Sequence, residues 1–192
     1  MTAEIEQRGS EAVAVLAIDG SPVGGGKTRA VLDAVADGAR ASGADVETVA
    51  LAEESGAEQA LERLEHADAV VLGSPVYRAS AAAPLKQLLD RIPRENGGDH
   101  SSPLTAKAVA IVQTGASLHH FLALDSLRDV LAGFFAAHVV PPGLYVPREG
   151  FAGTGSLAGP YAGQASRQGA ALVELAGLLA ASTSLRLLRP QA

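Results

Sequence analysis

Short, almost unbroken apolar runs alternate along the chain with longer stretches in which apolar residues recur every three or four positions. The runs Val13–Ile18, Ala69–Leu72 and Lys107–Gln113 read as strands covered on both faces. Asp45–Leu51 reads as another strand, and His138–Val146 as a fifth, interrupted by Pro141-Pro142-Gly143. Between them Thr28–Ser42 sets Val31, Leu32, Val35 and Ala39 on one helical face and is ended by Gly43. Ala57–His66 turns Leu61 and Leu64 inward, and Ala81–Ile92 carries Leu85, Leu88, Leu89 and Ile92 at helical spacing. Pro84 falls in the first turn of that helix, where a missing N–H costs little. Tyr161–Ser182 is predicted as the closing helix, and Arg94–Pro103 and Pro147–Pro160 as loops.

The fourth helix, His119–Ala136, has a different pattern. Leu124, Leu127, Val130, Leu131, Phe134 and Phe135 cover an arc of about 180°, where a surface helix needs roughly 100°. A helix that apolar is expected to bury a second surface against another subunit, which predicts a homodimer or homotetramer. Parallel strands need long right-handed crossovers. Five strands alternating with five helices therefore predict an α/β protein: a five-stranded parallel sheet in the order 2-1-3-4-5, with helices on both faces.

Composition narrows the function classes. The 192 residues suit one domain, expected over residues 12–183, with a disordered leader over 1–11 and a tail over 184–192. A hydrophobic fraction of 47% with 19% charged residues is that of a folding chain. The net charge of −6 provides no diffuse positive field for nucleic acid or an anionic membrane. With 0 cysteines there is no thiolate metal site, iron–sulfur cluster or Cys nucleophile, and no histidine pair has metal-ligand spacing. No run approaches the roughly 18 apolar residues of a membrane span, so a soluble, cytoplasmic protein is expected.

In an open sheet of this order, ligands bind beyond the carboxyl ends of the strands, where strand order reverses. That selects the loops Asp19–Thr28, Gly73–Ser80 and Thr114–His120. The first has the parts of a phosphate cradle: Gly24, Gly25 and Gly26, the hydroxyls of Ser21 and Thr28, the cation of Lys27 and the positive end of the next helix. The other reading of these residues is a permissive turn with Thr28 as a helix cap. A nucleoside-triphosphate P-loop fails on spacing, because Ser21 stands where its first glycine belongs. In the second loop, Pro75, Val76 and Tyr77 suit the border of a flat ring, although Tyr77 alone also reads as packing and Arg78 as a solvated charge. The third loop imitates a hydrolase elbow at Gly115-Ala116-Ser117-Leu118-His119, but His119 stands in place of the required glycine.

Gly20-Ser21-Pro22 with Lys27-Thr28, then Gly73-Ser74-Pro75-Val76-Tyr77-Arg78-Ala79-Ser80 and Leu85-Lys86-Gln87-Leu88-Leu89-Asp90, resemble the NADPH-dependent FMN reductase family of flavodoxin-like proteins. Gly115-Ala116-Ser117 with His120 and Leu122-Ala123-Leu124-Asp125 is similar to the subgroup that supplies reduced flavin to sulfonate monooxygenases. The resemblance runs from about Val13 to Val146. It implies FMN as cofactor with NADPH or NADH as reductant. Ser21, Lys27 and Thr28 would hold the phosphate; Pro75, Val76, Tyr77 and Arg78 would border the ring; Gly115 and Ser117 would line its pyrimidine side. The cofactor performs the hydride transfer, so no catalytic side chain and no metal are implied. The recipient would be free flavin, a small-molecule acceptor or a flavin-dependent monooxygenase.

Two departures carry consequences. Val23 stands where many relatives have a basic residue, which implies weaker binding of the phosphate and of FMN, and Asp125–Leu131 is one residue shorter than in the sulfonate-linked subgroup, whose insertion makes a π-bulge, which counts against release of flavin to a monooxygenase. The alternatives are thus a reductase that retains FMN and reduces a quinone or azo acceptor, or a non-enzymatic electron-transfer module.

Overall fold

The computed structural model describes residues 12–93, 102–152 and 155–190. Along the chain it forms β1 (Ala14–Asp19), α1 (Lys27–Ala41), β2 (Asp45–Ala50), α2 (Gly56–His66), β3 (Ala69–Tyr77), β4 (Ser80–Ala81) and α3 (Ala83–Arg91). It continues with β5 (Ala108–Gly115), α4 (Ala123–Asp129), β6 (His138–Val139), β7 (Leu144–Pro147), β8 (Phe151–Ala152), β9 (Ser156–Leu157), α5 (Gly159–Ala181) and α6 (Thr183–Arg186). The expected leader and residues 94–101 lie outside the described residues.

The main sheet runs β2-β1-β3-β5-β6, with β7 beside β6 on the same edge of β5, so the predicted order holds. The alternation of side chains along β1 shows why both faces must be covered. Leu16 and Ile18 pack with residues of α2, α3 and α4, whereas Val15 and Ala17 pack with residues of α1 and α5. The helices α1 and α5 meet backbone to backbone: a Cβ on Gly38 would lie 2.2 Å from the Ser166 carbonyl oxygen, and one on Gly169 2.0 Å from that of Val35. This close approach fixes α1 against the sheet and so fixes where its N-terminus points.

Four expectations are corrected. The sheet is not wholly parallel, because β3 runs on to Tyr77 and turns back as the antiparallel β4, pairing Val76 with Ala81 and Tyr77 with Ser80. The turn is made by Arg78 and Ala79 at φ of 52° and 61°. Two-residue hairpins of this kind favour Asn-Gly at the left-handed positions, and Arg-Ala gives no such signal. The buried Ser74 hydroxyl holds the hairpin's return by accepting the Ala82 N–H at 2.8 Å. Left-handed backbone costs a non-glycine residue roughly 1–2 kcal/mol, offset by the larger entropy that glycine loses on folding. Ala79→Gly is therefore expected to raise stability by up to about 1 kcal/mol, a gain of about 2–4 °C in thermal midpoint for a chain this size; a lower midpoint would contradict a strained turn.

The second correction concerns His119–Ala136, which is not one regular helix. A 3-10 turn at Leu118–His120 precedes α4, and α4 passes into a π-helical turn at Val130–Phe134. Leu124, Leu127, Leu131 and Phe135 are buried, while Val130 and Phe134 stay 37% and 39% exposed. A π-turn is thus present although the insertion after Asp125 is not. Third, the expected loop Pro147–Pro160 contains a 3-10 turn at Arg148–Gly150 and the β8–β9 hairpin. Fourth, the start of the expected tail is helical: α6 is capped by the Ser182 hydroxyl, which accepts the Leu185 N–H at 3.3 Å, and His138 Nε2 lies 3.2 Å from the Leu185 carbonyl.

Candidate functional site

The carboxyl ends of β1, β3, β5 and β7 lie side by side, with Asp19 opposite Gly73, Pro75 opposite Thr114 and Gly115 opposite Pro147. The turns that leave them enclose a cavity of about 440 Å³ open to solvent. That volume lies within the range of about 300–1,000 Å³ of small-molecule sites.

One end of the cavity is polar and positive. Ser21, Gly26, Lys27 and Thr28 line it. Gly25, at φ of 77°, lets the loop turn into α1. The cap of α1 is Gly26 rather than Thr28; no side chain caps this end and no acidic residue lies in the first turn. The positive end of the helix dipole therefore faces the cavity without a side-chain anion, as an anion site requires. Thr28 is buried and its Oγ1 lies 2.9 Å from Thr114 Oγ1. When Thr114 donates to Thr28, the Thr28 hydroxyl keeps its own proton for a ligand. Lys27 Nζ sits over the Phe151 ring, 5.0 Å from its centroid. Beneath the loop the fully buried Asp19 accepts the Ser21 N–H at 3.0 Å through Oδ1, and Oδ2 has no hydrogen-bond partner among the described residues.

The other end is apolar. Pro75 and Val76 are half-buried and Tyr77 is 56% exposed beside the hairpin turn. Gly115 and Ala116 form the facing wall. Tyr145 backs that wall: a Cβ on Gly115 would lie 1.9 Å from the Tyr145 oxygen, whose hydroxyl donates to the Ser117 carbonyl at 2.7 Å. Burial, and after it the charge of Glu149, pushes the Tyr145 phenol above its ordinary pKa, so it remains a donor.

Of the residues predicted from sequence, Ser21, Lys27, Thr28, Pro75, Val76, Tyr77 and Gly115 line this one cavity. Arg78 is exposed on the hairpin turn and Ser117 lies half-buried behind Gly115, both outside the lining. Ser117 Oγ lies 3.3 Å from His119 Nδ1, but its backbone is ordinarily extended (φ −154°, ψ 166°), unlike a strained hydrolase elbow. Thr114, Ala116 and Arg148 line the cavity without having been assigned to it from sequence. The strand-end rule already selected the turn holding Thr114 and Ala116; applied to the fifth strand, it would also have reached Arg148. Among the described residues no carboxylate lines the cavity, and no group of three or more His, Asp and Glu could hold a metal ion.

Hydroxyls, cations and an uncapped helix end at one side, with a proline-aromatic slot at the other, fit a flat ring carrying a phosphate. On a 2-1-3-4-5 sheet, that arrangement defines a flavodoxin-like protein. An oxidoreductase structure from Corynebacterium diphtheriae is similar with a TM-score of 0.70 at 22% identity, covering 91% of this chain and 100% of that one. The chain belongs to the NADPH-dependent FMN reductase family, whose sequence model matches residues 13–150. It is similar to the NADH-dependent FMN reductase SfnF of Pseudomonas putida, 41% identical over 91 residues, 47% of this chain and 45% of the relative. It is also similar to the FMN reductase (NADPH) of Escherichia coli (strain K12), 34% identical over 80 residues, 41% of this chain and 38% of the relative. These matches span less than half the length of either relative.

Proposed function

We propose that this protein is an NAD(P)H-dependent FMN reductase. The observation that carries the reading is the two-ended cavity, in which Ser21, Lys27 and Thr28 face Pro75, Val76, Tyr77 and Gly115 across about 440 Å³. The Ser21 and Thr28 hydroxyls and the start of α1 hold the phosphate; Pro75–Tyr77 and Gly115–Ala116 confine the ring. When bound, FMN supplies the hydride and electron chemistry. The chain's part is orientation, and the open mouth leaves one side of the slot to the nicotinamide of NADPH or NADH. No acid–base pair lines the cavity and none is needed for that transfer.

When FMN is bound, the acceptor the resemblance implies for its electrons is a flavin-dependent monooxygenase. The work is placed in the cytoplasm, where reduced pyridine nucleotide is available; no helix among the described residues is long and apolar enough to cross a membrane. Assembly is as at least a homodimer. Val130 and Phe134 on the π-turn, with Phe121 and Leu122 ahead of α4, present apolar side chains to solvent, and a monomeric mass in light scattering would contradict that assembly.

The test is NADH and NADPH oxidation by the purified protein with and without added FMN. Oxidation that rises with FMN supports the reading. A protein that binds FMN but oxidises neither nucleotide is a carrier, and one that binds no flavin overturns the assignment altogether.

A further inference from the structure

We propose that Arg148 is the principal cation for the flavin phosphate, an inference that rests on the flavin reading above and assigns a residue to its polar end. Among the described residues, Lys27 and Arg148 are the two cations lining the cavity. The Lys27 ammonium is engaged by Phe151. The Arg148 side chain has no ion pair or hydrogen bond among the described residues, only its backbone carbonyl accepting the Phe151 N–H. Its position follows from the register of the sheet. Thr28 and Thr114 join the start of α1 to the end of β5, Gly115 pairs with Pro147, and Arg148 is the next residue. From there the chain enters the β8–β9 hairpin, whose Phe151 returns to Lys27, so the segment leaving β7 closes over the N-terminal end of α1.

The phosphate loop itself is short of positive charge. Val23 is apolar and exposed, and the Ser21 N–H is turned down to the buried Asp19 carboxylate instead of up to a ligand. A guanidinium answers both deficits, because its planar fork reaches two phosphate oxygens at once and keeps its charge at every working pH.

The test is the dissociation constants of FMN and riboflavin, by flavin fluorescence, for the parent, Arg148→Gln, Arg148→Lys and Lys27→Gln. Arg148→Gln is expected to weaken FMN about 10- to 150-fold, the equivalent of losing hydrogen bonds to a charged group, and to leave riboflavin unchanged. Arg148→Lys should recover part of the loss, and Lys27→Gln should cost less than Arg148→Gln. Arg148 is exposed, so all variants are expected to fold. An FMN constant unmoved in Arg148→Gln, or an equal loss for riboflavin, would overturn the proposal while leaving the flavin site in place. An unmoved FMN constant with a KM raised for NADPH and not NADH would also overturn it, assigning Arg148 to the nucleotide's 2′-phosphate. If the parent binds neither flavin, it is the flavin reading that fails.

Discussion

Gly169→Ala should lower stability by about 3 kcal/mol or more, while Gly177→Ala on the same helix should raise it by about 0.5–1 kcal/mol. The chemical change is identical and the surroundings decide the sign. A methyl group on Gly169 would lie 2.0 Å from the Val35 oxygen and 2.6 Å from the Ala39 nitrogen, both backbone atoms of α1 that no rotamer change can move. The helices must part, and the buried layer of Val31, Leu32, Val35 and Leu172 opens with them. A methyl group on Gly177 meets nothing within 4 Å and only reduces the entropy lost on folding. Since α1 carries Lys27 and Thr28 at its start, what remains folded of Gly169→Ala should also bind flavin more weakly. Thermal melts of the three proteins check the prediction, and a Gly169→Ala midpoint at or above the parent would contradict it.

Thr28→Ala should weaken FMN about 10- to 150-fold with riboflavin unaffected. The substitution removes a buried hydroxyl whose proton is free for the phosphate when Thr114 serves as donor to it. Thr114→Val takes away that donor but leaves Thr28 in place, so its cost should be smaller and again confined to FMN. Equilibrium titration with both flavins separates these outcomes. Equal FMN affinity in Thr28→Ala and the parent would show that the first turn does not hold the phosphate.

Much of this arrangement was legible in the sequence because burial on both faces leaves continuous apolar runs. Val15–Ile18, Val70–Leu72 and Val109–Val112 are buried throughout, and they order the sheet that brings the three turns together. Ser21, Thr28 and Pro75 lie in turns that could be chosen because strand ends at a reversal of order are where such a sheet opens, and Gly115 followed from the resemblance to the FMN reductase family. What escaped detection depends on conformations with no local signature. Arg78 and Ala79 occupy left-handed positions normally betrayed by Asn or Gly. The π-turn at Val130–Phe134 follows α4 without a break in composition, so the apolar spacing does not reveal it. The partnership of Thr28 with Thr114 spans 86 residues, and Arg148 follows a strand split by Pro141-Pro142-Gly143, so neither is visible to short-range spacing.

In the proposed function one rim of the sheet receives a phosphorylated flat ring, with the phosphate at the start of α1 and the ring between the turns after β3 and β5. A crystal structure of the protein with FMN tests it most directly. The phosphate is expected against Ser21, Thr28 and Arg148 and the ring between Pro75–Tyr77 and Gly115–Ala116. FMN found instead in the separate cavity of about 350 Å³ between Leu51, Pro84 and Arg91, or nowhere on the protein, would contradict it.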